Sequence, residues 1–114
     1  MMHKYLMLLA MLGVSGCATY SQVQKMQPIH EADTTQTPQQ FTDCALPKMV
    51  EFQADAHAMK DGDSMVIITP VGNRGADIAG TVTATPANGG SHIVMRSALG
   101  GKAEKPWAAL QACL

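Results

Sequence analysis

Apolar and polar positions divide this chain into three regimes. From Tyr5 to Val14 the residues are almost continuously apolar. Such a run has no polar face to show water, so it is not the surface helix of a soluble domain. It is also about half the length of roughly 20 residues that a bilayer-spanning helix needs. From Ala18 to Gln40 the pattern inverts: Gln, Thr, Ser and Pro dominate and apolar residues stand singly. A stretch of that composition buries too little surface to fold, which predicts a flexible tether reaching about 25–30 Å. His30 and Glu31 fall inside it and are expected to be solvated.

From Phe41 onward apolar residues recur with periods of secondary structure. Asp43 is placed to cap a helical turn over Ala45 to Met49, with Pro47 in its first turn. Val50 to Met59 fits two templates. Val50, Phe52, Ala54, Ala56 and Ala58 alternate with polar residues as in a strand, whereas Met49, Phe52, Ala56 and Met59 form a helical stripe. The Asp61-Gly62 hairpin signal that follows, and the β-branched run Ser64 to Thr69 behind it, favour strand. Pro70 to Gly75 reads as a loop, and Ala76 to Gly80 as a helical turn or the start of a strand. Thr81 to Thr85 and Ser91 to Ser97 read as a second pair of strands around Pro86 to Gly90. In the returning strand Ile93 and Met95 share one face and His92, Val94 and Arg96 the other. Gly100 to Lys105 is a hinge. Pro106 opens a helix to Leu114, with Trp107, Leu110 and Cys113 or Leu114 on one stripe. The expected fold is α+β: a four-stranded antiparallel sheet of two hairpins, with the C-terminal helix on one face.

The apolar run changes meaning when its flanks are read. Lys4 precedes it, and Val14-Ser15-Gly16-Cys17 closes it. A basic start, a short apolar core and small residues at the end are the layout of a secretory signal. Val14 to Cys17 resembles the lipobox of bacterial lipoproteins, an aliphatic residue and two small residues before the modified cysteine. All four positions match. The resemblance covers residues 1–17 only. It implies that a diacylglycerol is joined to the Cys17 thiol, that the chain is cut before Cys17, and that the new amino group is acylated. Two or three acyl chains anchor stably where one does not. In Gram-negative members an aspartate after the cysteine retains the protein at the inner membrane. Ala18 and Thr19 stand here, which implies the periplasmic face of the outer membrane. The expected organisation is therefore a signal peptide over 1–16, a lipidated cysteine and tether over 17–40, and a small periplasmic domain over 41–114.

Three cysteines are present. With Cys17 lipidated, Cys44 and Cys113 remain, and an oxidising compartment favours pairing them. A redox pair or an intermolecular bridge is the alternative, although neither cysteine sits in a C-x-x-C frame. The formal charge is −1, and one Trp, two Tyr and two Phe are the aromatic complement. That composition has no electrostatic footprint for nucleic acid.

Local signatures of catalysis are absent: there is no G-x-S-x-G, S-x-x-K or H-E-x-x-H. The expectation is a non-enzymatic protein without a cofactor. Asp61-Gly62-Asp63 lacks the remaining ligands of a calcium loop and reads as a turn. Arg74 sits in a loop, solvated or presented to a partner. The pair His57 and Met59, in a chain with methionines at 26, 49, 59, 65 and 95, suits copper, since imidazole and thioether are copper ligands and both side chains share a strand face. Core filling by those methionines is the competing explanation. Two functions are thus expected. The first is a lipid-anchored envelope protein that serves a protein partner, similar in outline to accessory lipoproteins of secretion and envelope assembly. The alternative is a small-ligand or metal-binding module.

Overall fold

A computed structural model describes residues 18–71 and 78–114. Cys17, the signal segment and Arg74 lie outside the described residues. The elements in chain order are α1 (Tyr20–Gln24), β1 (His30–Thr34), α2 (Pro38–Phe52), β2 (His57–Asp61), β3 (Ser64–Pro70), β4 (Ile78–Ala87), β5 (Gly90–Ser97), α3 (Glu104–Leu110) and a 3-10 turn (Gln111–Cys113).

The class is α+β, with one antiparallel sheet of five strands in the order β1-β5-β4-β3-β2. Both expected hairpins form. Gly62 takes φ +62° in the β2–β3 turn, and Asn88 and Gly89 take +49° and +80° in the β4–β5 turn. Positive φ at both central residues is what a type I′ turn demands, and Asn-Gly supplies it at least cost. The fifth strand, β1, comes from the stretch expected to be a tether, and it pairs His30 with Met95 through Thr34 with Ser91. β1 contains a single apolar residue, Ala32. The free edge of β5, not its own periodicity, makes it a strand.

The same stretch begins the longest helix. Thr37 caps α2 through a capping box: the Gln40 N–H donates to its Oγ1 at 3.2 Å, and its own N–H donates to Gln40 Oε1 at 2.9 Å. Pro38 occupies the first turn. This box, not Asp43, sets the start. Asp43 instead accepts from Gln39 Nε2 at 2.7 Å. Pro47 sits in the helix interior, and it and Asp43 are both exposed, so the carbonyl that proline leaves unmatched is on the solvent side. The helix continues to Phe52, where a strand was expected. Phe41, Ala45 and Met49, spaced by four, are its buried stripe. β2 starts only at His57.

α2 crosses the sheet and carries the chain from the β1 edge to the β2 edge. It is the main cover of this face. Phe41, Ala45 and Met49 pack with Ile67, Val82, Ala84, Ile93 and Met95 of the sheet, and Leu110 and Cys113 complete the cluster. The C-terminal helix is shorter than expected and starts earlier, at Glu104. Cys44 and Cys113 form a disulfide with Cα atoms 5.7 Å apart, which fastens the last turn to α2.

The opposite face holds a second, smaller core of Val23, Val66, Ile68 and Ile78 under α1. A register shift near Thr69 and Pro70 feeds it. Thr69 pairs with Gly80 and Pro70 with Ile78, which leaves Ala79 as the extra residue of a bulge. The bulge turns Ile78 to this face while Val82 and Ala84 face the first core.

Candidate functional site

Three places among the described residues are candidates for a functional site. The first is the attachment of residues 18–26 to the sheet. Thr19 caps α1 in a capping box with Gln22. Val23 is fully buried. Around it, polar groups of the outer face are matched one by one. The Gln24 amide donates through Nε2 to Thr83 Oγ1 at 3.0 Å, and its Oε1 accepts from Thr81 Oγ1 at 2.7 Å. The Tyr20 hydroxyl donates to Asp61 Oδ2 at 2.6 Å, and Arg96 Nε donates to the Met26 carbonyl at 3.0 Å. The Tyr20 phenol is pushed up to about 12, first by burial and then by its bond to Asp61. The Ala18 carbonyl accepts the Ile78 N–H at 2.9 Å. These bonds make the segment part of the fold.

The second place is a carboxylate–histidine–carboxylate cluster where β1 meets β5. Strand pairing sets Asp33 opposite His92 and Glu31 opposite Val94, so both carboxylates flank the imidazole on the outer face. His92 Nδ1 lies 2.7 Å from Asp33 Oδ1, and Nε2 lies 3.1 Å from Glu31 Oε1. Ionised carboxylates only accept, so the arrangement favours the protonated ring, in which both nitrogens donate. Its pKa is raised, chiefly by the hydrogen bond to Asp33 and next by that to Glu31. In this state the ring has no lone pair for a metal or for proton abstraction. Its role is to hold a charged edge strand in register. Glu31 and Asp33 were expected to be solvent-borne tether residues or were not singled out; only the pairing of β1 with β5 brings them to His92. His30, on the other face of β1, stacks on Trp107 with centroids 4.9 Å apart and planes within 4°. Its Nε2 donates to the Lys102 carbonyl at 2.6 Å. β1 is thereby tied to α3 as well.

His57 and Met59 pair with Ile68 and Val66 and do share the outer face. Their side chains are engaged separately. Met59 packs on the second core, while His57 Nδ1 lies 3.1 Å from the Asp55 carbonyl. Met49 and Met95 are in the first core. Among the described residues, no three His, Cys, Asp or Glu side chains are grouped to hold a metal ion.

The third place is an apolar pocket of about 200 Å³ between the end of α2, the bulged end of β4 and the chain leading into α3. Met49, Phe52, Val82, Met95, Leu99 and Pro106 form its walls. Ligand pockets usually run from about 300 Å³ upward, so this one has room for a side chain or a stretch of alkyl chain. Phe52 and Leu99 at its rim are 47% and 70% exposed, the two most exposed large apolar side chains among the described residues. Gly80 in its floor brings β4 close to β5. No pattern in the sequence marks the pocket, because its walls come from four separate segments. Comparisons of the chain with protein-family models, with curated proteins and with solved structures returned no match.

Proposed function

We propose that this chain is a lipid-anchored lipoprotein of the bacterial envelope, held by acylated Cys17 at the periplasmic face of the outer membrane, and that it acts without catalysis as an accessory or interaction protein for an envelope partner. One observation carries the reading. The Cys44–Cys113 disulfide uses two of the three cysteines and leaves Cys17, the residue that closes the lipobox, as the remaining thiol. Disulfides form and persist in oxidising compartments, which is where a chain with this signal is delivered. The absorption of both His92 nitrogens by carboxylates supports a structural role for the most perturbed histidine.

Palmitate labelling in cells tests the anchor. The wild-type chain is expected to take the label and to fractionate with membranes, and Cys17→Ser to lose both. Labelling of Cys17→Ser would overturn the reading. Crosslinking and capture from intact envelopes, beside the same variant, then tests the accessory role. Enrichment of one envelope assembly that disappears in the variant is the expected result. The copper alternative at His57 and Met59 has its own test: binding tighter than micromolar that is lost in His57→Ala would replace the accessory role with a metal-binding one.

A further inference from the structure

The anchored residue and the fold are joined without slack. Ala18 bonds to Ile78, the first residue of β4, and packs on the second core. Cys17 is its covalent neighbour, and adjacent Cα atoms are about 3.8 Å apart. A lipid on Cys17 therefore holds the bulged end of the sheet at the bilayer surface, where a tether would have left the domain free to stand off.

The exposed apolar rim is at this same end. Ala79 follows Ile78 and accepts the Ala98 N–H at 2.7 Å. Leu99 follows Ala98, and Ala79, Leu99 and Phe52 border one pocket. Ala18 and Ala98 both pack on the second core. A continuous bonded path thus runs from the anchor through Ile78, Ala79 and Ala98 to Leu99. The described charges nearby are Arg96, Lys102 and Lys105 beside Glu104, a small positive excess that does not oppose phospholipid headgroups around the apolar rim.

We propose that the Phe52–Leu99 rim docks on the phospholipid surface of the leaflet that holds Cys17, so that the domain stands on the membrane by its bulged end. The inference rests on the lipoprotein reading above. The opposite end is well clear of the lipid. β4 runs ten residues from Ile78 to Ala87, and at about 3.3 Å per residue the Asn88–Gly89 turn is about 30 Å away. The envelope partner then meets the sides of the domain or its Asn88 end. A covalent anchor also explains how so small a rim is sufficient: it keeps the rim beside lipid at high effective concentration, so the contact need not bind on its own.

The test places a photoreactive p-benzoylphenylalanine at Leu99 or at Pro86, near the Asn88 end of β4, in the full chain, in intact cells also labelled with palmitate. Both positions are exposed and neither takes a positive φ, so neither replacement disturbs packing or a turn. After irradiation, a phospholipid adduct is expected from position 99 and none from position 86. A protein adduct at 99, whether to a partner or to a second copy, overturns the proposal, as do lipid adducts from both positions or from neither in protein that carries the palmitate label. Loss of the label itself refutes the lipoprotein reading and the docking with it, and is read separately.

Discussion

The disulfide is the feature whose removal is most directly calculable. Cys44 and Cys113 are 69 residues apart in sequence. Closing a loop of that length removes about 15 cal/mol/K of entropy from the unfolded chain, or about 4 kcal/mol at room temperature. The folded chain does not need the bridge to keep its C-terminus in place. Leu110 is fully buried and Trp107 stacks on His30, so both hold the last turns against α2 and β1. The double variant Cys44→Ala/Cys113→Ala is therefore expected to keep its native structure and to lose about 4 kcal/mol, nearly all of it through the unfolded state. For a domain of this size that lowers the melting temperature by roughly 15–30 °C. Trp107 is the only tryptophan, so its fluorescence reports directly on whether α3 is docked. The assay is urea unfolding followed by that signal, on residues 17–114 with Cys17→Ser in parent and variant alike, so that no third thiol is present. A native spectrum identical to that of the parent with a loss near 4 kcal/mol supports the reasoning. A loss below about 1 kcal/mol would refute it, because the unfolded chain would then already hold its ends together. A shifted Trp107 spectrum before any urea would refute the independence of the docked C-terminus.

Three further outcomes follow from the packing. The His92 ring, followed by NMR, is expected to titrate above its ordinary range and to fall back toward it in Asp33→Asn more than in Glu31→Gln, matching the order of their contributions. Because the folded pKa is raised, the stabilisation is fully present below the unfolded value of about 6.5 and fades as pH rises through the folded one; with all three side chains substantially exposed it stays under about 1 kcal/mol. Equal stability at acidic and alkaline pH together with an unshifted His92 would remove the cluster's clamping role. Gly90→Ala sets a Cβ against the Thr34 carbonyl, 2.9 Å from its carbon and 2.8 Å from Thr35 Cα; backbone on both sides cannot yield, so a loss of about 1–3 kcal/mol is expected in the urea midpoint, and a neutral result would place β1 elsewhere. Val23→Ala removes the single buried side chain of α1 at a cost of about 1–2 kcal/mol; faster hydrogen exchange at the Ile78 N–H, which bonds to Ala18, is the local signature, and unchanged exchange would show that Val23 does not hold the segment.

Much of the architecture is legible from local chemistry. The α+β class, the Asp61-Gly62 and Asn88-Gly89 turns, strands β3 and β5, and the Cys44–Cys113 pairing can all be read along the chain. Each rests on residues close in sequence or on a small count of cysteines. The extent of α2 was also present in local signals, in the Thr37–Gln40 capping box and the Phe41, Ala45, Met49 stripe. The alternation around Phe52 and the polar composition before Phe41 concealed it. β1 is different in kind. His30–Thr34 has one apolar residue, and nothing within it specifies a strand. Its partners are Met95 to Ser91, some 60 residues away, and its acids find His92 only through that register.

What the sequence by itself determined is therefore local: the Cys44 and Cys113 that pair, and turns that demand positive φ. Tertiary structure alone decided where the polar stretch after Cys17 goes. An isolated helix of five residues and a strand with one alanine cannot bury enough surface to repay their own ordering. They order here because an open edge of β5 and an uncovered apolar patch at Val66, Ile68 and Ile78 are already built by the rest of the chain, and both need backbone and side-chain partners that this stretch supplies.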